Sequence, residues 1–149
     1  MTTWAQFQAD AEDLAAMVRE RFEAAETHIL ATLRKDGSPR VSGTEVDFQG
    51  QDLSFGSMPN AVKALDLLRD GRCAIHAHPS ADGDVKVAGT AEEVTGEAKS
   101  AYVTGKEPPG GFHAFRLDLR EAVHTAVEGD ELVIRFWQPG QGVRVIRRK

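Results

Sequence analysis

The sequence contains a single cysteine, Cys73, among 149 residues. One cysteine cannot close a disulfide within the chain or build a cysteine-based zinc site, so the disulfide-rich secreted class is excluded. The expected compartment is therefore the reducing cytoplasm. Because Cys73 lies within an apolar segment, we expect a small buried side chain rather than a reactive thiol.

Long apolar runs are also missing. No stretch approaches the roughly 18–20 residues of a membrane span, and the N-terminus lacks the basic and then apolar layout of a signal peptide. Acidic residues outnumber basic ones, 23 to 18, which disfavours nucleic acid as a partner. Since domains run to roughly 100–200 residues, we expect one soluble domain over residues 1–149.

Common catalytic signatures are absent as well. The sequence has no Gly-x-x-x-x-Gly-Lys loop, no complete Gly-x-Gly-x-x-Gly, no His-Glu-x-x-His and no Gly-x-Ser-x-Gly. Only His76 and His78, two apart on a predicted strand, share a face, and a metal site would need a third ligand from elsewhere. No metal is therefore predicted.

Hydrophobic periodicity divides the chain into an N-terminal helix and a β-rich remainder. Apolar residues three or four apart predict one amphipathic helix over residues 4–25, capped by Thr2 or Thr3. Over residues 26–148 the period shortens to two, and turn residues separate seven or eight short strands. The pattern predicts a mainly β, α+β fold: a Greek-key-like antiparallel barrel with flanking helices.

Within this barrel, several bounds are specific enough to test. One strand is expected over residues 39–48, with a bulge near Gly43, and two separate strands over residues 112–119 and 122–127. Helices are predicted over residues 57–70 and 97–103. The proline- and glycine-rich residues 105–111, named here the rim loop, are a candidate lid or rim of a site.

The segment from Phe55 to Lys63 carries the clearest chemical signal. A strand ends in Gly56-Ser57, and the predicted helix start offers free N–H groups and the positive end of a dipole. The Ser57 hydroxyl and the Lys63 charge, with Arg40 on a neighbouring strand, would complete a phosphate site. The alternative is that Ser57 only caps the helix while Lys63 and Arg40 are solvated.

The C-terminus is the second charged feature. The last fifteen residues contain five basic and no acidic residues. This segment is compatible with an anion site and equally with a solvated tail.

Taken in order, these segments resemble the FMN-binding split β-barrel family that includes pyridoxamine 5'-phosphate oxidase. Residues 31–41, Ala-Thr-Leu followed by Asp-Gly-Ser-Pro-Arg-Val, resemble the family's opening hairpin. Residues 53–75 resemble its next strand, its phosphate-binding lysine helix and the strand that follows. Residues 85–91, Val-Lys-Val-Ala-Gly-Thr-Ala, resemble the central strand with its glycine, and residues 136–140, Phe-Trp-Gln-Pro-Gly, also fit.

The resemblance implies a split β-barrel and an FMN-dependent oxidoreductase that acts on a small molecule. By position, Arg40, Ser57 and Lys63 would hold the cofactor phosphate. Val41 and Gly56 would offer backbone near the ring or the ribityl chain. The resemblance also implies a homodimer with the cofactor at the subunit interface.

The second subunit would contribute Trp137 and Arg147, where the family places an aromatic residue and an arginine. Departures lie nearby: Glu45 stands where the vitamin-oxidising members have a lysine, and Asp84 where they have a glutamine. Their Arg-x-His, which grips the vitamin, falls on Val-Arg-Val at residues 143–145. The expected substrate is therefore not pyridoxamine 5'-phosphate.

Alternatives remain open on this sequence. The alanine-rich, lysine-poor composition and the Gly-Gln-Gly-Val-Arg ending resemble actinobacterial members, several of which use the deazaflavin coenzyme F-420. An F-420-dependent reductase is thus one alternative. A non-catalytic flavin- or tetrapyrrole-binding protein is another, and a heme-binding barrel that uses one of the histidines is a third.

Overall fold

The structure is a computed structural model that describes all 149 residues, Met1–Lys149. The helices are α1 (Trp4–Asp10), α2 (Glu12–Glu23) and α3 (Val62–Arg69), and a 3₁₀ segment covers Gly96–Tyr102. The strands are β1 (His28–Leu33), β2 (Pro39–Thr44), β3 (Asp47–Gln49), β4 (Asp52–Ser57), β5 (Arg72–His76), β6 (Asp84–Val94), β7 (His113–Glu128), β8 (Glu131–Gln138) and β9 (Gly142–Arg148).

All nine strands belong to one antiparallel sheet that splits at β7. The order β2-β1-β5-β6-β7-β4-β3 runs through most of it, while β8 and β9 follow from β7 along a second branch. The first residues of β7 pair with β4, its last residues pair with β8, and β6 pairs along nearly all of its other edge. This arrangement confirms the predicted mainly β, split-barrel fold with flanking helices.

The N-terminal helices cover one side of the sheet. Trp4 and Phe7 of α1 and Leu14, Val18 and Phe22 of α2 are buried, as their spacing predicts, and they join a core cluster of 22 apolar residues. Two helices replace the single helix expected over residues 4–25, because the backbone leaves the helical conformation at Ala11. The sequence does not signal this break, since Ala11 is neither glycine nor proline. At this break the Trp137 indole N–H donates to the Asp10 carboxylate at 2.7 Å, which ties the end of α1 to β8.

Three further bounds differ from the sequence-based expectations. The strand expected over residues 39–48 divides into β2 and β3, because the chain leaves β1 and pairs with β4 instead. The two strands expected over residues 112–127 form the single long strand β7. Helix α3 begins at Val62 rather than at Ser57, which belongs to β4.

The expected bulge near Gly43 is wrong, since Gly43 pairs regularly with Ile29. The register shift lies instead between Ala88 and Gly89 of β6. A Cβ atom at Gly89 would lie 1.9 Å from the carbonyl oxygen of Asp118 on β7. Only glycine permits this approach of the two longest strands, which is the usual meaning of a glycine inside a strand.

Strand β9 is an edge of the sheet, because it pairs only with β8. Arg144, Arg147 and Arg148 are exposed along it. Cations on an edge strand disfavour its pairing with the edge strand of another molecule. Protection against such pairing is a structural role that these arginines can fill. The longest helix has 12 residues, and no helix has the length and apolar character to cross a bilayer.

Candidate functional site

A cavity of about 340 Å³ opens between the end of β2, strand β4, the start of α3 and the rim loop. Its volume falls within the roughly 300–1,000 Å³ of small-molecule sites. Gly56, Ser57 and Lys63 line it, so the structure brings together three of the seven residues predicted to bind a cofactor.

Lys63 is the half-buried cation of this cavity. Its ammonium donates a hydrogen bond to the Gly43 carbonyl oxygen at 2.8 Å. Burial lowers the pKa of Lys63, and the nearby Glu45 carboxylate opposes that shift without cancelling it. A further anion beside Lys63 would therefore be stabilised electrostatically.

The start of α3, next to Lys63, has no side-chain cap. Ala61 occupies the cap position and cannot accept a hydrogen bond through its side chain. The interpretation of Ser57 as a cap is wrong, because its hydroxyl donates to the Met58 carbonyl oxygen at 3.2 Å and the helix begins five residues later. The first N–H groups of α3 thus lack the partner that a cap would supply.

His113, to which the sequence analysis assigned no role, anchors the segment that leads into α3. The Asn60 N–H donates to His113 Nε2 at 3.3 Å, and Asn60 has a left-handed φ of 59°. Because Nε2 accepts this bond, the ring proton lies on Nδ1, which donates to Glu93 at 2.6 Å. This relay from β6 through β7 fixes the backbone before the helix.

Arg40 lies beside α3 but not in the cavity lining. Its Nε donates to the buried carboxylate of Asp66 at 2.8 Å, and Thr32 and Arg69 donate to the same carboxylate. Burial alone would raise the pKa of Asp66, but the three hydrogen bonds hold it below its usual value. Asp66 follows Lys63 by three residues, so Arg40 lies about one helical turn from the cavity cation.

The other predicted residues lie away from the cavity in a single chain. Val41 is 71% exposed on β2, and Arg147 is exposed on β9. Trp137 is 1% exposed within the core, where it is bonded to Asp10. The roles of Arg40, Val41, Trp137 and Arg147 at a cofactor stay predictions.

The rim loop forms one wall of the cavity, as its composition suggested. Lys106, Glu107 and Pro108 contribute to the lining. The Glu107 carboxylate accepts hydrogen bonds from the Thr104 N–H, the Thr104 hydroxyl and the Gly105 N–H. These local bonds give the loop a defined shape beside the 3₁₀ segment.

Charge in the lining is mixed. Glu45, Asp47 and Glu107 face Lys63 and Lys106 across the same cavity. Burial raises the pKa of Asp47, and Lys106 partly offsets this shift. An anionic group is therefore best held near Lys63 and α3, where backbone N–H groups add to the single charge.

Sequence reasoning missed Tyr102, the protein's one tyrosine, which lines the cavity from the 3₁₀ segment. No local pattern identified it, because its partner Asp52 is 50 residues away. Cys73 needs no functional role: burial raises the pKa of its thiol to about 12. No group of three or more histidine, cysteine or acidic side chains could hold a metal.

Solved structures with the same fold include three of different description. An FMN-binding, pyridoxamine 5'-phosphate oxidase-related protein from Nostoc punctiforme is 14% identical, with a TM-score of 0.65 over 92% of this chain and 95% of the other. PhzG from Burkholderia lata, in complex with tetrahydrophenazine-1-carboxylic acid, is 14% identical, with a TM-score of 0.61 over 97% and 89%. A heme binding protein from Mycobacterium smegmatis is 18% identical, with a TM-score of 0.57 over 89% and 87%. At these identities the likeness shows the fold alone.

The sequence itself matches the family model described as pyridoxamine 5'-phosphate oxidase over residues 14–126. A search of the curated proteins finds no match. The matched range runs from α2 into β7 and contains every residue that lines the cavity, whereas β8 and β9, with Trp137 and Arg147, lie beyond it. The match covers well over half of the 149 residues, and the chain therefore belongs to the pyridoxamine 5'-phosphate oxidase family.

Proposed function

We propose that the protein is a flavin-dependent oxidoreductase that binds FMN in this cavity, with the phosphate at the start of α3. The observation that carries the proposal is the uncapped start of α3 next to the half-buried Lys63. Backbone N–H groups at a helix start and a lysine side chain are common phosphate ligands. The FMN-binding relative from Nostoc punctiforme supports the choice of flavin.

The residues present fit this cofactor at the phosphate end. Ser57 would add its hydroxyl by turning it from the Met58 carbonyl oxygen to the phosphate, and Gly56, which has no side chain, leaves the backbone of β4 open to the cavity. Arg40 would add charge from β2, beside the next turn of α3, with Asp66 fixing its guanidinium. When bound, the flavin would supply the hydride or electron transfer, while the protein binds it, orients it and excludes water.

The substrate is proposed to be a small molecule other than pyridoxamine 5'-phosphate. Glu45 lines the cavity where the vitamin-oxidising members have a lysine. A carboxylate at this place would repel a second phosphate group. This electrostatic difference supports the absence of vitamin oxidation.

A homodimer is part of the proposal. Helix α3 exposes three apolar side chains spaced three residues apart, Val62, Leu65 and Leu68. Met58, in the segment before the helix, and Val41, on β2, are exposed apolar residues as well. Exposed apolar patches of this kind mark protein interfaces. Sedimentation analysis would test the dimer, and a monomer at micromolar concentration would contradict it.

Coenzyme F-420 is the second candidate cofactor. It also presents a phosphate, and the exposed arginines of β9 could meet its additional anionic groups. Histidine-ligated heme is less well supported, because no histidine lines the cavity and both ring nitrogens of the nearby His113 are hydrogen-bonded.

Titration of the purified protein with FMN, riboflavin and F-420 tests the proposal. Riboflavin is the matched control because it shares the ring and lacks the phosphate. We expect FMN to bind at least tenfold more tightly than riboflavin, as the loss of about one charge-assisted interaction implies. Equal affinities for FMN and riboflavin would show that the phosphate does not bind at the start of α3. Binding of F-420 alone would show that the deazaflavin, and not FMN, is the cofactor.

A further inference from the structure

Tyr102 presents its side chain to the cavity while its hydroxyl is held elsewhere. The residue ends the 3₁₀ segment and lines the cavity together with Met58, Pro108 and Phe112. Its hydroxyl donates a hydrogen bond to Asp52 Oδ2 at 2.7 Å. The polar end of the side chain is therefore committed to the protein.

Asp52 provides an unusually buried partner for this bond. Its side chain lies at the start of β4 and the residue is 4% exposed. Its second oxygen, Oδ1, is buried and has no hydrogen-bond partner, so the Tyr102 hydroxyl is the one side-chain donor that Asp52 has. Loss of that donor would leave a buried carboxylate without compensation, which makes the pair mutually dependent.

The charge balance keeps the phenol protonated. Burial and Asp52 raise the pKa of Tyr102, and the nearby Arg116 opposes the shift only in part. A protonated phenol that donates to Asp52 has no proton left for a ligand. The aromatic ring is then what Tyr102 can offer to a molecule in the cavity.

We propose that the Tyr102 ring is a contact surface for the planar ring of the bound flavin, and that Asp52 is the positioning residue that holds it there. This inference rests on the proposed function. Aromatic rings prefer offset or edge contacts with other rings, and such contacts add to the energy of simple burial. The hydrogen bond to Asp52 fixes the ring before the ligand arrives, which lowers the entropic cost of binding.

Flavin fluorescence tests the contact directly. A tyrosine in contact with an excited flavin quenches its fluorescence, because an electron passes from the phenol to the flavin and then returns. Phenylalanine has the same ring but is too weak an electron donor to do so. We expect bound FMN to be strongly quenched in the native protein and several-fold brighter in Tyr102→Phe.

Binding constants for matched variants separate the ring from the hydroxyl. Tyr102→Leu should weaken FMN and riboflavin alike by roughly 2–13-fold, the range expected for an aromatic contact. Phe112→Leu is the control within the same lining, and its bound FMN should stay as quenched as in the native protein. Asp52→Asn retains an oxygen that accepts from the phenol and should retain the quenching.

The outcomes are distinct from those of the proposed function. If the native protein binds FMN, the Tyr102→Phe complex stays quenched and flavin excitation in the native complex yields no tyrosyl radical, the contact is absent and only this inference is overturned. If the native protein binds no flavin, the proposed function fails and this inference fails with it. Should Tyr102→Phe not fold, transient absorption of the native complex replaces it: a tyrosyl radical after flavin excitation supports the contact, since Tyr102 is the sole tyrosine, and its absence overturns it.

Discussion

The starts of helices α1 and α3 are built in opposite ways. At α1, the Thr3 hydroxyl accepts the Gln6 N–H at 3.1 Å and the Gln6 side chain accepts the Thr3 N–H at 2.8 Å, a complete capping box. At α3, the cap residue is Ala61 and no side chain closes the turn. The first start lies over the buried Trp4 and Phe7, and the second lies at the rim of the cavity.

This difference separates a helix start used for stability from one left open for a ligand. A capped start contributes to folding and leaves fewer N–H groups free for a ligand. An uncapped start is less stable by itself, and a bound anion can replace the missing cap. The strained backbone of Asn60, held by His113, shows that the segment before α3 is nevertheless fixed in position.

The largest expected effect is on ligand binding at the open start. Lys63→Met keeps the length of the side chain and removes its charge. FMN affinity should fall by roughly 10–150-fold, the equivalent of one hydrogen bond to a charged group, while riboflavin affinity changes little. Calorimetric or fluorescence titration with both ligands measures the two values. Equal losses for FMN and riboflavin would place Lys63 away from the phosphate.

At the closed start, the expected effect is on stability alone. Thr3→Ala removes the capping hydroxyl and should lower the free energy of unfolding by about 1 kcal/mol, within a range of roughly 0.5–2 kcal/mol. Denaturant unfolding gives this value. FMN affinity should be unchanged, and Thr2→Ala is the matched control because the capping box uses only Thr3 and Gln6. A change in FMN affinity in Thr3→Ala would break the division between the two helix starts.

A smaller change would convert the open start into a closed one. Ala61→Ser adds one oxygen at the cap position, where it can accept an N–H from the first turn of α3. Without ligand, the protein should gain up to about 1 kcal/mol in the free energy of unfolding. Because the new cap competes with the phosphate, FMN should bind about fivefold more weakly and riboflavin as before. Tighter FMN binding would indicate that the helix N–H groups do not face the phosphate.

The smallest expected effect is on the pH dependence of the folding stability, and it involves two buried histidines. Burial lowers the pKa of His28 below its ordinary value of 6.5, and burial with Arg135 does the same for His124. The folded protein then binds fewer protons than the unfolded chain in mild acid. The stability from these neutral histidines is full above pH 6.5 and is lost as the pH falls through their folded-state pKa values.

His28 supplies the sharper test of this dependence. Its Nε2 bonds the Phe22 carbonyl oxygen at the end of α2, and its Nδ1 accepts the His78 N–H at 2.9 Å, so protonation removes an acceptor. Thermal unfolding from pH 7.5 to pH 5 should show a shallower acid loss in His28→Gln than in the native protein. The control is His78→Gln, which removes an exposed histidine whose charge is the smallest contribution to the lowered pKa of His28, so its slope should stay close to that of the native protein. If all three proteins lose stability in acid with the same slope, groups other than His28 cause the loss.

Local patterns predicted much of the fold. Nine strands lie within residues 26–148, where the shorter period predicted seven or eight, and Phe7, Leu14 and Phe22 are buried as helical spacing requires. The rim loop was predicted from its glycines and prolines alone. These features depend on neighbours within a few residues, which is the range over which periodicity carries information.

The candidate site was predicted only in part. The sequence brings Gly56, Ser57 and Lys63 close enough together to be recognised as one segment, and the structure places them in one cavity. Arg40 was expected at the same phosphate, but its Nε is bonded to Asp66, 26 residues away. Tyr102 was missed because Asp52, which gives it a role, is distant in sequence.

By itself, the sequence determined which faces of its helices and strands are apolar, where turns occur and which family the chain resembles. Tertiary structure decided where α1 ends against Trp137, where α3 begins, how β7 serves two branches of the sheet and which residues meet in the cavity. The physical reason is the range of the interactions. Burial of an amphipathic face is encoded every two to four residues, whereas the hydrogen bonds that set the site join residues 26, 50 and 127 positions apart.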